Sequence, residues 1–145
     1  MKVVIQRVKK ASVTVEGNMI GKINEGLLVF LGVTHGDTKE KADFLVKKLL
    51  NLRIFNDDNH KMNLSVKDIN GEVLVVSQFT LYADTTSGNR PSFTEAAKPD
   101  SANELYEYFI QKSKEHGIEV KSGEFGADMK VELLNDGPVT IIIEK

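Results

Sequence analysis

Two strand-like apolar stretches near the C-terminus, residues 129–134 and 139–143, are separated by Asn135-Asp136-Gly137-Pro138. Proline has no N–H to donate to a sheet ladder, so the pair must interrupt or turn the strand. Glycine has no Cβ, so another group can come close to its backbone. Any fold open to this chain must therefore present a stiff, bare piece of main chain at that point. Such a piece can recognise a ligand through backbone atoms alone.

The rest of the chain alternates strand and helix signals. Residues 3–8 and 12–15 read as strands, Glu16-Gly17-Asn18 as a turn, and 19–23 as the return strand. Residues 26–33 form a continuous apolar run, the mark of a buried strand. Asp37-Thr38-Lys39-Glu40 resembles a helix start with Asp37 as N-cap. Ala42, Leu45, Val46, Leu49 and Leu50 follow at helical spacing, and the helix should end near Asn51. Ile54-Phe55 can begin a short strand, 62–66 fits more than one element, and 72–81 reads as a strong strand. A polar loop over 82–93 precedes a second helix from Pro99-Asp100-Ser101, with Leu105, Tyr106, Phe109 and Ile110 on one face and Gly117 as its stop. Residues 118–121 are a further strand candidate. Two helices cannot cover both faces of a large sheet. The expected fold is mixed α/β: a single domain, 1–145, of two packed β-sheets with a layer of two helices, a three-layer β/β/α arrangement.

Several chemistries are excluded or disfavoured. The chain has no cysteine, which removes disulfides, thiolate nucleophiles and thiolate metal sites. His35, His60 and His116 lack metal-ligand spacing, and Asp57-Asp58-Asn59 fails the calcium-loop pattern downstream. Gly123-Glu124-Phe125-Gly126 is not followed by the Lys-Ser/Thr of a phosphate loop. No metal and no cofactor are expected. A net charge of −2 argues against coating long nucleic acid but leaves open a grip on the end of an RNA. No apolar stretch is long enough for a membrane span, and Gln6 and Arg7 interrupt the first apolar run too early for a signal peptide. The expectation is a protein that stays inside the cell, with no membrane partner.

The run Ser77-Gln78-Phe79-Thr80-Leu81-Tyr82-Ala83-Asp84 ends a buried-looking strand with polar side chains. Such groups either bind or react with something, or satisfy neighbouring backbone. Thr80 as a nucleophile would need a base, and no histidine lies nearby in sequence. Arg7, charged within an apolar strand, either braces the Gly-Pro loop or faces solvent.

Taken together, that run and Asn135-Asp136-Gly137-Pro138-Val139-Thr140 resemble the two signature motifs of the D-aminoacyl-tRNA deacylase (D-tyrosyl-tRNA deacylase) family. Val4-Ile5-Gln6-Arg7-Val8, Leu52-Arg53-Ile54-Phe55, Lys61-Met62-Asn63-Leu64-Ser65, Arg90-Pro91-Ser92-Phe93 and Phe125-Gly126-Ala127-Asp128-Met129 also match, in order along the chain. The resemblance implies a cytoplasmic homodimer that hydrolyses the ester between a D-amino acid and the 3′ end of tRNA. It also implies removal of glycine mischarged on tRNA(Ala). Ser77, Gln78, Phe79 and Thr80 then belong to the catalytic centre. Gly137, Pro138, Asn135 and Met129 bind substrate and reject L-amino acids, with the Gly137–Pro138 bond cis and delivered across the dimer interface. Arg7 is a possible support. The expected chemistry is attack by water with backbone N–H groups near Gln78, Phe79 and Thr80 stabilising the oxyanion, assisted by the terminal 2′-hydroxyl; the alternative makes Thr80 a covalent nucleophile. The loop Thr85-Thr86-Ser87-Gly88-Asn89-Arg90 lacks basic residues that relatives often carry at 86 and 87, which weakens the case for phosphate contacts there. Rival readings are a non-catalytic RNA-end binding module and a purely structural dimer.

Overall fold

The computed structural model describes residues 1–145. Its elements are β1 (Lys2–Val15), β2 (Asn18–Ile23), β3 (Gly26–Gly32), α1 (Lys39–Asn51), β4 (Phe55–Asn56), β5 (Met62–Leu64), β6 (Glu72–Ser77), α2 (Pro99–Glu115), β7 (Glu119–Ser122) and β8 (Lys130–Glu144). A short 3-10 turn, Phe79–Tyr82, follows β6. The two strand segments expected over 3–8 and 12–15 are one continuous strand.

A single bulge organises β1. Val3 and Ile5 join one hydrophobic cluster and Val8, on the opposite face, joins another. Beyond Lys9 the parity switches, and Ala11 and Val13 share the face of Val8. The reason is register. Val8 pairs with Asn135 of β8 but Lys10 pairs with Leu134, so Lys9 is an extra residue on β1. A one-residue slip carries every later side chain to the other face of the sheet.

The main sheet has six strands in the order β2-β1-β3-β6-β7, with β8 along the other side of β1. β3, β6 and β7 run parallel to one another, whereas β1 is antiparallel to β2, β3 and β8. Leu27, Val29, Leu31, Val73 and Val75 face the helices, while Leu28, Leu74 and Val76 face the second cluster. Burial on both faces explains why β3 and β6 read as continuous apolar runs. The sheet curls over that second cluster until β2 meets β6 and β7: a Cβ on Gly21 would lie 2.9 Å from the Ser122 carbonyl and 3.3 Å from Leu74 Cδ1. The expected second layer is therefore the far half of the same sheet. The separate sheet is only the β4–β5 ribbon.

Both helices cover one face. Ala42, Leu45, Val46, Leu49 and Leu50 of α1 and Ala102, Leu105, Tyr106, Phe109 and Ile110 of α2 are buried. Thr38, not Asp37, precedes the first turn of α1. The Asp37 carboxylate instead accepts from the Thr34 N–H (2.8 Å) and Lys41 Nζ (3.0 Å). Pro99 opens α2, where its missing N–H costs nothing, and Gly117, at φ +77°, takes the left-handed position after it. No helix is long and apolar enough to cross a membrane.

Tyr106 pins α2 to the sheet. Its hydroxyl is shared between the carbonyls of Val75 (3.1 Å) and Gly123 (3.3 Å). Burial pushes the phenol up to about 12, above the ordinary value of about 10. With the folded value raised, this contribution is intact below about pH 10 and fades as pH climbs toward 12. Tyr106→Phe should cost about 1 kcal/mol at pH 8 and flatten the alkaline loss; urea unfolding at both ends of that window measures it.

Candidate active site

Parallel strands end on the same edge of a sheet, and ligands in such sheets bind beyond those C-terminal ends. Here β3, β6 and β7 release three segments side by side: 33–37, 78–83 and 123–129. A cavity of about 730 Å³ opens among them, lined by Gln78 and Phe79 after β6, His35 after β3, Phe125 and Met129 after β7, and the first turn of α2. Its size and largely apolar wall suit a small organic group.

The segment after β6 departs from the expected strand. Pairing ends at Ser77, and the Gln78 N–H donates to the Leu31 carbonyl at 2.8 Å. The chain then winds into the 3-10 turn, whose first internal bonds run from Leu81 N–H to the Gln78 carbonyl (3.2 Å) and from Ala83 N–H to the Thr80 carbonyl (3.1 Å). The N–H groups of Phe79 and Thr80 come before the first of these donors and have no partner within the turn. Gly32 lets the turn settle onto β3, since a Cβ there would stand 3.0 Å from Leu81 Cβ and 3.2 Å from the Gln78 carbonyl. Two of the three N–H groups expected as anion donors are thus available, and the third, Gln78, is committed to the sheet.

Side chains complete the wall unevenly. Ser77, Gln78, Phe79 and Met129 line the cavity, whereas Thr80 does not. The Thr80 hydroxyl contacts the Gln78 side-chain amide, which donates to it. Phe79 is 56% exposed and meets Phe93, 38% exposed, edge to face at 5.0 Å between centroids. Phe93 arrives on a loop closed by paired bonds between Asp84 and Ser92 (2.8 and 2.9 Å). His35 Nε2 donates to the Thr94 carbonyl at 2.7 Å and ties that loop to the segment after β3. At the base of that loop, the Thr86 N–H and hydroxyl hold the Asp84 carboxyl below the usual carboxylate range. The contributions of His35 and of the α2 start were missed by sequence reasoning. The signal that could have found them is that 26–33 and 72–81 are both buried apolar runs, which pair in parallel and end together.

The glycine-proline pair does not terminate β8. Gln6 pairs with Thr140 and Val8 with Asn135, so residues 136–139 bow out opposite Arg7 alone. The Gly137–Pro138 bond is cis, Gly137 has φ +137°, and both residues are exposed. Asn135 closes the loop by accepting from the Val139 N–H at 2.8 Å. Arg7, only 7% exposed, donates from Nε to the Asp136 carbonyl (2.8 Å) and from Nη1 to the Ile54 carbonyl (2.6 Å). Its Nη2 stands 3.0 Å from where a Gly137 Cβ would be. Gly137 and Pro138 do not line the cavity of their own chain.

Arg7→Met would strand two carbonyls that the guanidinium now satisfies, at about 1–3 kcal/mol each. We expect a loss of about 2–6 kcal/mol in urea unfolding, with only partial recovery in Arg7→Lys, because an ammonium lacks the planar fork that spans both acceptors.

Comparison with known proteins agrees with this architecture. Residues 4–144 match the family model described as D-Tyr-tRNA(Tyr) deacylase. The chain is 60% identical to the D-aminoacyl-tRNA deacylase of Fusobacterium nucleatum subsp. nucleatum over 99% of this chain and 95% of that protein. It is 58% identical to the protein of that name from Clostridioides difficile, over 99% and 97%. Among solved structures, the c-Myc DNA Unwinding Element Binding Protein superposes with TM-score 0.94 at 42% identity, covering 100% of this chain and 99% of that one. A probable eukaryotic D-amino acid tRNA deacylase shares the fold, with TM-score 0.82 at 18% identity, covering 98% and 97%. A match over nearly the whole length, by motif, sequence and fold, means that this chain belongs to the D-Tyr-tRNA(Tyr) deacylase family.

Proposed function

We propose that this protein hydrolyses the ester joining a D-amino acid to the 3′ end of tRNA and refuses the L-ester. The observation that carries the reading is the exposed Gly137–Pro138 loop, braced by Arg7 and Asn135 yet absent from its own chain's cavity. A loop held so firmly and turned outward is suited to enter the cavity of a second copy. The working unit is then a homodimer, each half supplying the other's gauge.

Refusal by shape suits such a gauge. A side chain can swing away from an intruding substituent, whereas a hydrogen-bonded proline loop cannot. Rejecting the L-ester by four decades takes about 5.5 kcal/mol; a steric overlap reaches that, while one hydrogen bond contributes about 1 kcal/mol net. Glycine has no substituent to refuse, so glycine mischarged on tRNA(Ala) passes the same filter.

For the chemistry, water attacks the ester carbonyl carbon. The oxygen that gains charge is held by the Phe79 and Thr80 N–H groups. The acyl C–O bond then breaks, the tRNA 3′ oxygen leaves as a hydroxyl, and the neighbouring 2′-hydroxyl assists proton movement. A covalent role for Thr80 fits poorly. The group in contact with its hydroxyl is an amide, which takes up no proton near neutral pH. Tight contact between Phe79 and Phe93 leaves exposed aromatic surface for the apolar part of the charged RNA end.

Thr80→Ala removes the hydroxyl but keeps the N–H. Single-turnover release from D-Tyr-tRNA should fall by less than about ten-fold, against the 10²–10³ that loss of an oxyanion donor typically costs. A collapse with RNA binding preserved would instead identify Thr80 as the nucleophile. In Gly137→Ala the new methyl would sit 2.8 Å from Val139 Cγ2 and 3.0 Å from Arg7 Nη2, at a φ that L-residues rarely adopt. D-ester hydrolysis should drop by at least about ten-fold; full activity would refute close approach to substrate. A wild-type protein that binds charged tRNA without releasing amino acid would be a binding module.

A further inference from the structure

The bulge at Lys9 does more than switch β1 between two cores. A bulge re-aims the extra side chain, and here it sends the Lys9 ammonium toward the root of the Gly137–Pro138 loop. Lys9 Nζ lies 3.5 Å from Asp136 Oδ2 and 2.9 Å from Glu25 Oε1. Glu25 is itself fixed to the sheet, because its carbonyl accepts from the Glu72 N–H at 3.1 Å. Asp136 immediately precedes Gly137, and Arg7 holds its main-chain oxygen but approaches its carboxylate only to 3.7 Å. Arg7 therefore fixes the backbone of Asp136, and Lys9 holds its side chain.

We propose that Lys9, tethered to Glu25, is a positioning residue that sets the stance of the Gly137–Pro138 loop and so tunes how strictly the enzyme separates D- from L-esters. The inference rests on the chiral role proposed above. Unlike the arginine brace, this tether is open to solvent: Lys9 and Glu25 are each about half exposed and line a cleft of about 270 Å³. Ion pairs of this kind are weak and screened by salt. Lys9 is thus a fine adjustment on a loop whose main anchor is elsewhere, and the adjustment should answer to ionic strength.

The test compares single-turnover rates on D-Tyr-tRNA and L-Tyr-tRNA for wild type, Lys9→Met, Lys9→Arg and Glu25→Gln, at about 0.05 M and about 0.5 M KCl. Both rates come from one protein preparation and one RNA, so misfolded enzyme and general salt effects on RNA binding cancel in their ratio. We expect the D-to-L ratio of Lys9→Met to fall by about two- to five-fold at low salt. Glu25→Gln should give a smaller fall, and Lys9→Arg should keep the wild-type ratio. Raising the salt should lower the wild-type ratio and leave that of Lys9→Met unchanged. Equal ratios and equal salt responses in wild type and Lys9→Met would overturn the tether while leaving the proposed function standing. A wild type that releases neither amino acid would overturn both, and would do so before any variant is made.

Discussion

A guanidinium has donors in a planar fork and no acceptor, so it can join carbonyls that have no other reason to be neighbours. Arg7 does this between the Ile54 carbonyl, at the entrance to the β4–β5 ribbon, and the Asp136 carbonyl, at the start of the outward loop of β8. Without that fork the four residues opposite Arg7 would be left to Asn135, which holds Val139, and to the solvent-exposed Lys9 contact with the Asp136 carboxylate. The charge is tolerated in a nearly buried position because both bonds end on oxygen and Asp136 supplies a carboxylate nearby. Presentation of the glycine-proline pair thus depends on a nearly buried side chain from another strand.

The second organising device is the slip at Lys9. It allows one continuous strand to serve the helix-facing core with Val3 and Ile5 and the interior of the curled sheet with Val8, Ala11 and Val13. The same extra residue lies beside the register break at Arg7, so the place where β1 changes allegiance is also where β8 departs from it. Fold and site are joined at this point on the strand.

Much of this was legible in the sequence, for identifiable reasons. α2 was readable because Pro99 and Gly117 mark its ends and its apolar residues recur at helical spacing. The continuous apolar runs of β3 and β6 announced burial on both faces. The curl of the sheet was not legible: nothing local distinguishes two packed sheets from two halves of one, and the deciding contact is Gly21 against Ser122 and Leu74, far apart in sequence. Asp37 looked like a cap by residue type, but its carboxylate is taken by Thr34 and Lys41. The run 72–81 looked like a single strand because its apolar residues continue past Ser77 to Phe79 and Leu81; the turn forms because Gln78 spends its N–H on Leu31 and Gly32 leaves room beneath. The signature motifs named candidate residues without giving their geometry: Ser77, Gln78, Phe79 and Met129 line the cavity, whereas Thr80 sits in the turn beside it and Gly137 and Pro138 lie elsewhere.

The two unpaired N–H groups at the start of the 3-10 turn have a chemical consequence. Peptide amides neither gain nor lose protons across the range in which proteins stay folded. In the oxyanion role proposed above, these two donors have no ionisation of their own to be switched off by acid. In that role the pair would be indifferent to pH, and any titration in the reaction would come from the ester's own amino group and hydroxyls or from side chains such as His35 in the cavity wall.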